Sequence, residues 1–150
     1  EQAAGPIPIL GTEGLTVQFA KCCRPIPGDH IIGMIKKDHG LIIHTHDCPV
    51  VANSQKSAEN FLDVAWGKDI SRTFEVCIRV TGENKQGVLA RVAAEIAKAE
   101  SNIDDIAMET DGDYTRMHFI LQVNNRQHLA QIIRGLRQIK DVAKISRIKD

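Results

Sequence analysis

Two adjacent thiols, Cys22 and Cys23, are followed after a predicted hairpin by His44, His46 and Cys48. Thiolate and imidazole are the ligand types that zinc takes in tetrahedral geometry. The spacing departs from the usual C-x2-C knuckle, because adjacent side chains on an extended chain point to opposite faces. Both thiols reach one ion only if the chain bends there, and Arg24-Pro25 is suited to supply the bend. Two other readings fit the same residues. One cysteine faces a core and its neighbour is partly exposed, with His44 hydrogen-bonded near a helix start. Alternatively the thiols are reactive, with Cys48 beside that helix start, although no complete nucleophile, base and oxyanion set accompanies them.

A second candidate is the loop Gly82 to Gly87, which leads from a predicted strand into Val88 and Leu89. Free amides at a helix start receive carboxylates or phosphates. The loop lacks the G-x-x-x-x-G-K-[ST] pattern, so it is either a small-ligand pocket or a plain turn. Cys77 sits alone in a strand, on one face with Glu75 and Arg79, and reads as structural. Residues 126–149 carry Arg126, Arg134, Arg137, Lys140, Lys144, Arg147 and Lys149 against only Asp141. That run reads as a solvated helix face or as a patch for RNA or an acidic partner. Paired carboxylates, H-E-x-x-H and G-x-S-x-G are all missing from the sequence, which therefore offers no catalytic residues.

The elements that must position these groups fall into two parts. Leu15 to Phe19 alternates as a half-buried strand should. Pro27-Gly28 suits a type II turn. Ile31 to Ile35 and Leu41 to His44 form strands around Asp38-His39-Gly40, and Asp47-Cys48-Pro49 opens a helix running to about Lys56. Phe61 to Trp66 is a last strand. The predicted order is β-β-β-α-β over residues 15–68, after a linker over 1–14. Over 72–150 the order is β-α-β-β-α-β. Phe74, Val76, Ile78 and Val80 share a strand face, as do Met117, Phe119, Leu121 and Val123. Val88, Val92 and Ile96, with Leu89, Ala93 and Ala97, make one helix stripe; Leu129, Ile132, Ile133 and Leu136 make another. The fold class is α+β, the second part being the ferredoxin-like split βαβ arrangement. Its uncovered face would show Thr73, Glu75, Cys77 and Arg79 beside Arg116, His118, Ile120 and Gln122, a mixed surface suited to self-association through the sheet or its edges.

The chain has 150 residues, 43% hydrophobic and 25% charged, as in ordinary globular proteins. Nineteen basic residues balance nineteen acidic ones. A protein held to nucleic acid mainly by charge is usually basic, so that class loses ground. Aromatics make up 4%, leaving little for base stacking. No apolar run approaches the roughly 20 residues of a membrane span. Glu1-Gln2-Ala3-Ala4-Gly5 lacks the features of a signal peptide and reads as the middle of a longer polypeptide.

The string Gly11-Thr12-Glu13-Gly14-Leu15, then Phe19-Ala20-Lys21-Cys22-Cys23-Arg24-Pro25-Ile26-Pro27-Gly28-Asp29, resembles the C-terminal regulatory half of long RelA/SpoT homologues. Gly40 to His44 and Asp47-Cys48 extend the resemblance, which covers essentially the whole chain and looks most like the bifunctional SpoT-type branch. It implies a conserved-cysteine, zinc-finger-like domain followed by an ACT domain, with Cys22, Cys23, His44 and Cys48 on the family's Cys/His set and His46 outside it. It implies zinc there, and a small ligand such as an amino acid at Glu83, Asn84, Gln86, Gly87, Val88 and Leu89. This loop departs from the Asp-Arg-Pro-Gly-Leu of many amino-acid-binding ACT domains, with Glu83 in place of Asp. The implied parent is a cytoplasmic enzyme that makes or hydrolyses (p)ppGpp, with catalytic domains N-terminal to residue 1. This segment would be inert itself, relaying a signal from a ligand, the ribosome or another partner, and pairing through its ACT half. Residues 1–68 hold six basic against seven acidic residues, which weakens the case for ribosomal RNA contact. The alternative is an autonomous zinc-dependent RNA-binding module.

Overall fold

The computed structural model describes residues 8–54 and 60–149. In the first unit, strands β1 (Ile9–Leu10), β2 (Val17–Phe19), β3 (Ile31–Lys36) and β4 (Gly40–Thr45) precede helix α1 (Pro49–Ser54) and strands β5 (Phe61–Leu62) and β6 (Ala65–Trp66). The sheet runs β2-β4-β3-β5. Strands β3 and β4 form the expected hairpin around Asp38 and Gly40, both at positive φ. Strand β2 lies parallel to β4, with Gln18 opposite Ile42.

Both faces of the β3–β4 hairpin are covered, which accounts for its nearly unbroken apolar run. Leu41 and Ile43 pack with Ile9, Ile31 and Trp66 on one side. Met34 packs with Ala20, Cys23, Cys48 and Val51 on the other. The predicted last strand, Phe61 to Trp66, is instead two short strands. Phe61 and Leu62 pair with β3, the chain leaves the ladder at Asp63-Val64, and Ala65 and Trp66 pair with β1. Gly11 lies against that bend, where a Cβ would come within 2.9 Å of the Asp63 carbonyl oxygen. Ile9-Leu10, read as linker from sequence, is thus part of a second small sheet. The predicted helix end near Lys56 lies outside the described residues.

The second unit contains β7 (Phe74–Glu83), α2 (Val88–Lys98), β8 (Asn102–Asp111), β9 (Tyr114–Val123), α3 (Arg126–Arg137) and β10 (Val142–Arg147). Its sheet is antiparallel in the order β10-β7-β9-β8, the ferredoxin-like topology. Val88, Val92 and Ile96 of α2 and Leu129, Ile132 and Leu136 of α3 pack on Val76, Ile78, Val80, Met117, Phe119 and Leu121. The α2 stripe is narrower than predicted, since Ala97 is exposed. Among the described residues, no helix is long and apolar enough to cross a membrane.

The two units share a core. Ile26, from the first unit, is fully buried within the second unit's apolar cluster, with Phe19, Trp66 and Ile70 packed against it. Phe19 stacks on Trp66, both meet Phe74 edge-on, and the Arg72 guanidinium lies over Phe19 and Phe74.

Candidate metal centre and ligand loop

The bend that the adjacent thiols require is a single tight turn. The Arg24 amide donates to the Ala20 carbonyl at 3.0 Å, and Arg24 itself is left-handed, at φ 46. Cys22 and Cys23 lie inside this turn, so their side chains converge. His44 comes from β4, where it pairs with Ile32 on the face toward α1. Cys48 is placed by a turn in which its amide donates to Thr45 O at 3.1 Å.

Among the described residues, Cys22, Cys23, His44 and Cys48 form the one group whose donor atoms are placed to hold a metal, all lying within 4.8 Å of one another. Cys22 Sγ is 3.5 Å from His44 Nδ1, 3.6 Å from Cys48 Sγ and 4.0 Å from Cys23 Sγ. Cys23 Sγ is 3.8 Å from His44 Nδ1. A zinc ion with bonds of about 2.3 Å to sulfur and about 2.05 Å to nitrogen would separate tetrahedral ligands by roughly 3.8 Å (S to S) and 3.6 Å (S to N). Those four separations already stand near these values, and the remaining pairs lie within 4.8 Å. The Thr45 amide donates to Cys23 Sγ at 3.3 Å, an outer contact that would favour a thiolate.

Without an ion, Cys22, Cys23 and His44 favour their uncharged forms. Burial, the Cys48 hydrogen bond and the neighbouring thiols push the Cys22 thiol up to about 12. Burial also raises Cys23, although the Thr45 amide opposes it. Burial and the Lys36 charge hold the His44 imidazolium below its ordinary value. A divalent cation reverses this preference for protonated thiols.

His46 points elsewhere. It lines an open cleft of about 590 Å³ along the seam of the two units, with Asp29, His30, Arg126, Leu129 and Arg147. Part of the basic C-terminal run is spent on this seam rather than on solvent. Arg147 donates to both carboxylate oxygens of Asp29, at 2.8 and 2.7 Å, and Lys149 to Asp47 at 3.0 Å.

In the second unit, Glu83 and Asn84 line a shallow cleft of about 360 Å³ with Lys85, Gly112, Asp113 and Tyr114. Gln86 is exposed, Gly87 caps α2, and Leu89 packs on the core. Val88 is buried in that core, so its side chain faces away from the cleft. Three further residues organise the loop. Asp141 accepts from Arg91 and Lys85, and Lys85 also pairs with Glu83 at 3.5 Å. Burial pushes the Asp141 carboxyl up, but the two cations hold it below the usual carboxylate range. A visible signal pointed to it: it is the lone acid in a basic run.

Residues 7–67 match the family described as the RelA/SpoT RIS domain, and residues 71–147 match the ACT domain family. The chain belongs to the ACT domain family, with a RelA/SpoT RIS domain ahead of it. Across 147 residues it is 40% identical to the bifunctional (p)ppGpp synthase/hydrolase SpoT of Escherichia coli, covering 97% of this chain and 21% of that protein. It is 29% identical over 143 residues to the bifunctional (p)ppGpp synthase/hydrolase RelA of Mycobacterium tuberculosis, covering 95% of this chain and 19% of that protein. The chain therefore spans about a fifth of the length of the curated relatives it matches. The ACT domain from a GTP pyrophosphokinase of Chlorobium tepidum is 25% identical, covering 51% of this chain and 99% of that one, with a TM-score of 0.46.

Proposed function

We propose that this chain is the non-catalytic regulatory segment of a cytoplasmic (p)ppGpp synthetase/hydrolase, sensing a ligand, the ribosome or a protein partner and relaying that state to catalytic domains of the same polypeptide. The observation that carries the reading is the coincidence of two things. The RIS and ACT matches together span nearly the whole chain, and the donor atoms of Cys22, Cys23, His44 and Cys48 lie within 4.8 Å of one another. Zinc held there would fix the turn at Cys22-Cys23 against β4 and α1. The ACT loop around Glu83 and Asn84 is the proposed position for a small ligand, its amino groups met by Glu83 and its anionic groups by Lys85. The alternative, an autonomous RNA-binding module, is weakened because Arg147 and Lys149 are paired within the chain.

Two measurements test this. The 150-residue chain should neither make nor hydrolyse (p)ppGpp, and turnover abolished by a point change in it would overturn the inert role. In a full-length protein ending in this segment, Cys22→Ser should shift the ratio of hydrolysis to synthesis. An unchanged ratio would remove the regulatory role of the cluster.

A further inference from the structure

The residues immediately after the two thiols belong structurally to the other domain. Arg24 Nε donates to Glu75 of β7 at 2.6 Å, and the Arg24 carbonyl accepts from Arg147 of β10 at 2.9 Å. Ile26 is fully buried in the ACT core. The Pro27 carbonyl accepts from the amide of Arg126, the first residue of α3, at 2.9 Å. Gly28 takes φ 103, a backbone that L side chains rarely adopt, and a Cβ there would stand 3.0 Å from Arg126 Cβ, so the loop and α3 are in close contact. Asp29 closes the loop on itself through the Ile26 amide at 2.8 Å while receiving both Arg147 bonds.

We propose that zinc occupancy of the Cys/His cluster and the seating of α3 and β10 in the ACT domain are coupled equilibria, joined by the loop Arg24–Asp29. The inference rests on the zinc reading above and adds a route for it. Two of the four ligands leave the cluster through a turn that ends at Arg24, and that residue is already gripped by β7 and β10. Six residues wedged at Ile26 and clamped at Asp29 have no slack with which to absorb a change in the turn. Ligation ties the turn to His44 and Cys48 and so stabilises the docked loop; loss of the ion leaves the thiol side of the turn to its backbone bonds and weak thiol contacts. Such coupling is reciprocal: docking strengthens zinc by the same factor that zinc strengthens docking, so losing the loop's grip on the ACT domain weakens zinc by up to that factor.

Hydrogen exchange on the full 150-residue chain, with one equivalent of zinc and then with chelator, tests the forward direction. The amides at the start of α3 and along β10 should exchange several-fold more slowly with zinc. Those of β8, on the sheet edge farthest from β10, should not change. Zinc competition titrations on Arg24→Gln and Asp29→Asn test the reverse, since neither residue is a ligand. Affinity should fall at least fivefold, within the roughly 5- to 150-fold range of such couplings. If Asp29→Asn does not fold, Arg24→Gln and the wild-type exchange decide. One equivalent of zinc bound with unchanged exchange in α3 and β10, or unchanged affinity in Arg24→Gln, overturns the coupling. A chain that takes up no zinc overturns the reading beneath it instead.

Discussion

Cys22, Cys23 and His44 prefer their neutral forms when no ion is present, and that preference has a pH signature. A thiol whose folded value is raised contributes stability that is present below its unfolded value and lost as pH rises through the folded one. The metal-free chain should therefore weaken above about pH 9, over the window leading toward the Cys22 value of about 12. His44 has the opposite sign: its folded value is depressed, so stability should also fall as pH drops below 6.5. With zinc bound, thiolates are the required form, and the alkaline loss should vanish while acid releases the ion. Thermal melts across pH with zinc and with chelator would check this. A chelator-insensitive melt would leave the cluster a packing feature. The sequence singled these residues out by their metal-binding types, and the family resemblance separated them from His46. What was not legible was the Thr45 amide on Cys23, since a backbone donor has no sequence signature, or the left-handed Arg24 that makes the adjacent thiols converge.

Helix α2 ends in a manner that its sequence does not advertise. The Glu100 amide donates to Ala97 O and the Ser101 amide to Ile96 O, the paired bonds of a Schellman motif. Its left-handed position, usually glycine, is held by Glu100 at φ 61. A left-handed non-glycine residue costs roughly 1–2 kcal/mol, part of which glycine's greater unfolded freedom returns. Glu100→Gly should thus stabilise the chain by about 0.5–1 kcal/mol, read as a higher denaturation midpoint with an unchanged slope. A lower midpoint would mean that the Glu100 side chain contributes more than its backbone strain costs. At this scale period-two and period-3.6 patterns were strong in the ACT half, and β7, α2, β9 and α3 emerged close to where they predicted. They failed where pairing depends on remote partners. Strand β2 lies parallel to β4, and the 61–66 run divides between two sheets because β1 and β3 compete for it.

On the scale of the whole molecule, the seam depends on pairs that no local pattern reveals, such as Arg147 and Asp29. Both are largely buried, and breaking such a pair typically costs about 3–5 kcal/mol. Arg147→Met should cost that much in chemical denaturation, whereas Lys149→Met at exposed Asp47 should cost less than about 1 kcal/mol. The seam also bears on the two modes of self-association that the sequence suggests. The open face of the ACT sheet is partly occupied, since Arg24 reaches Glu75 there. The β8 edge is not. This ten-residue strand lies at the far end of the order β10-β7-β9-β8, and its outer ladder has no partner strand among the described residues. Ile106 and Met108 pair with Phe119 and Met117 in register, so they point to the helix side, yet they are 39% and 50% exposed because the helices do not reach them. Tyr114 adds 49% exposure at the adjoining turn. Long edges with apolar side chains invite pairing. The acids Asp104, Asp105, Glu109 and Asp111 oppose it, but Arg116 lies 3.1 Å from Glu109 and 3.8 Å from Asp111 and offsets part of that charge. We expect a symmetric dimer along β8, burying more than about 1,000 Å² in total if it is stable. Sedimentation of the full chain should show a concentration-dependent dimer that Met108→Lys abolishes without lowering the melting temperature of the monomer. A monomer at every concentration, or a dimer indifferent to Met108→Lys, would move the self-association off this edge.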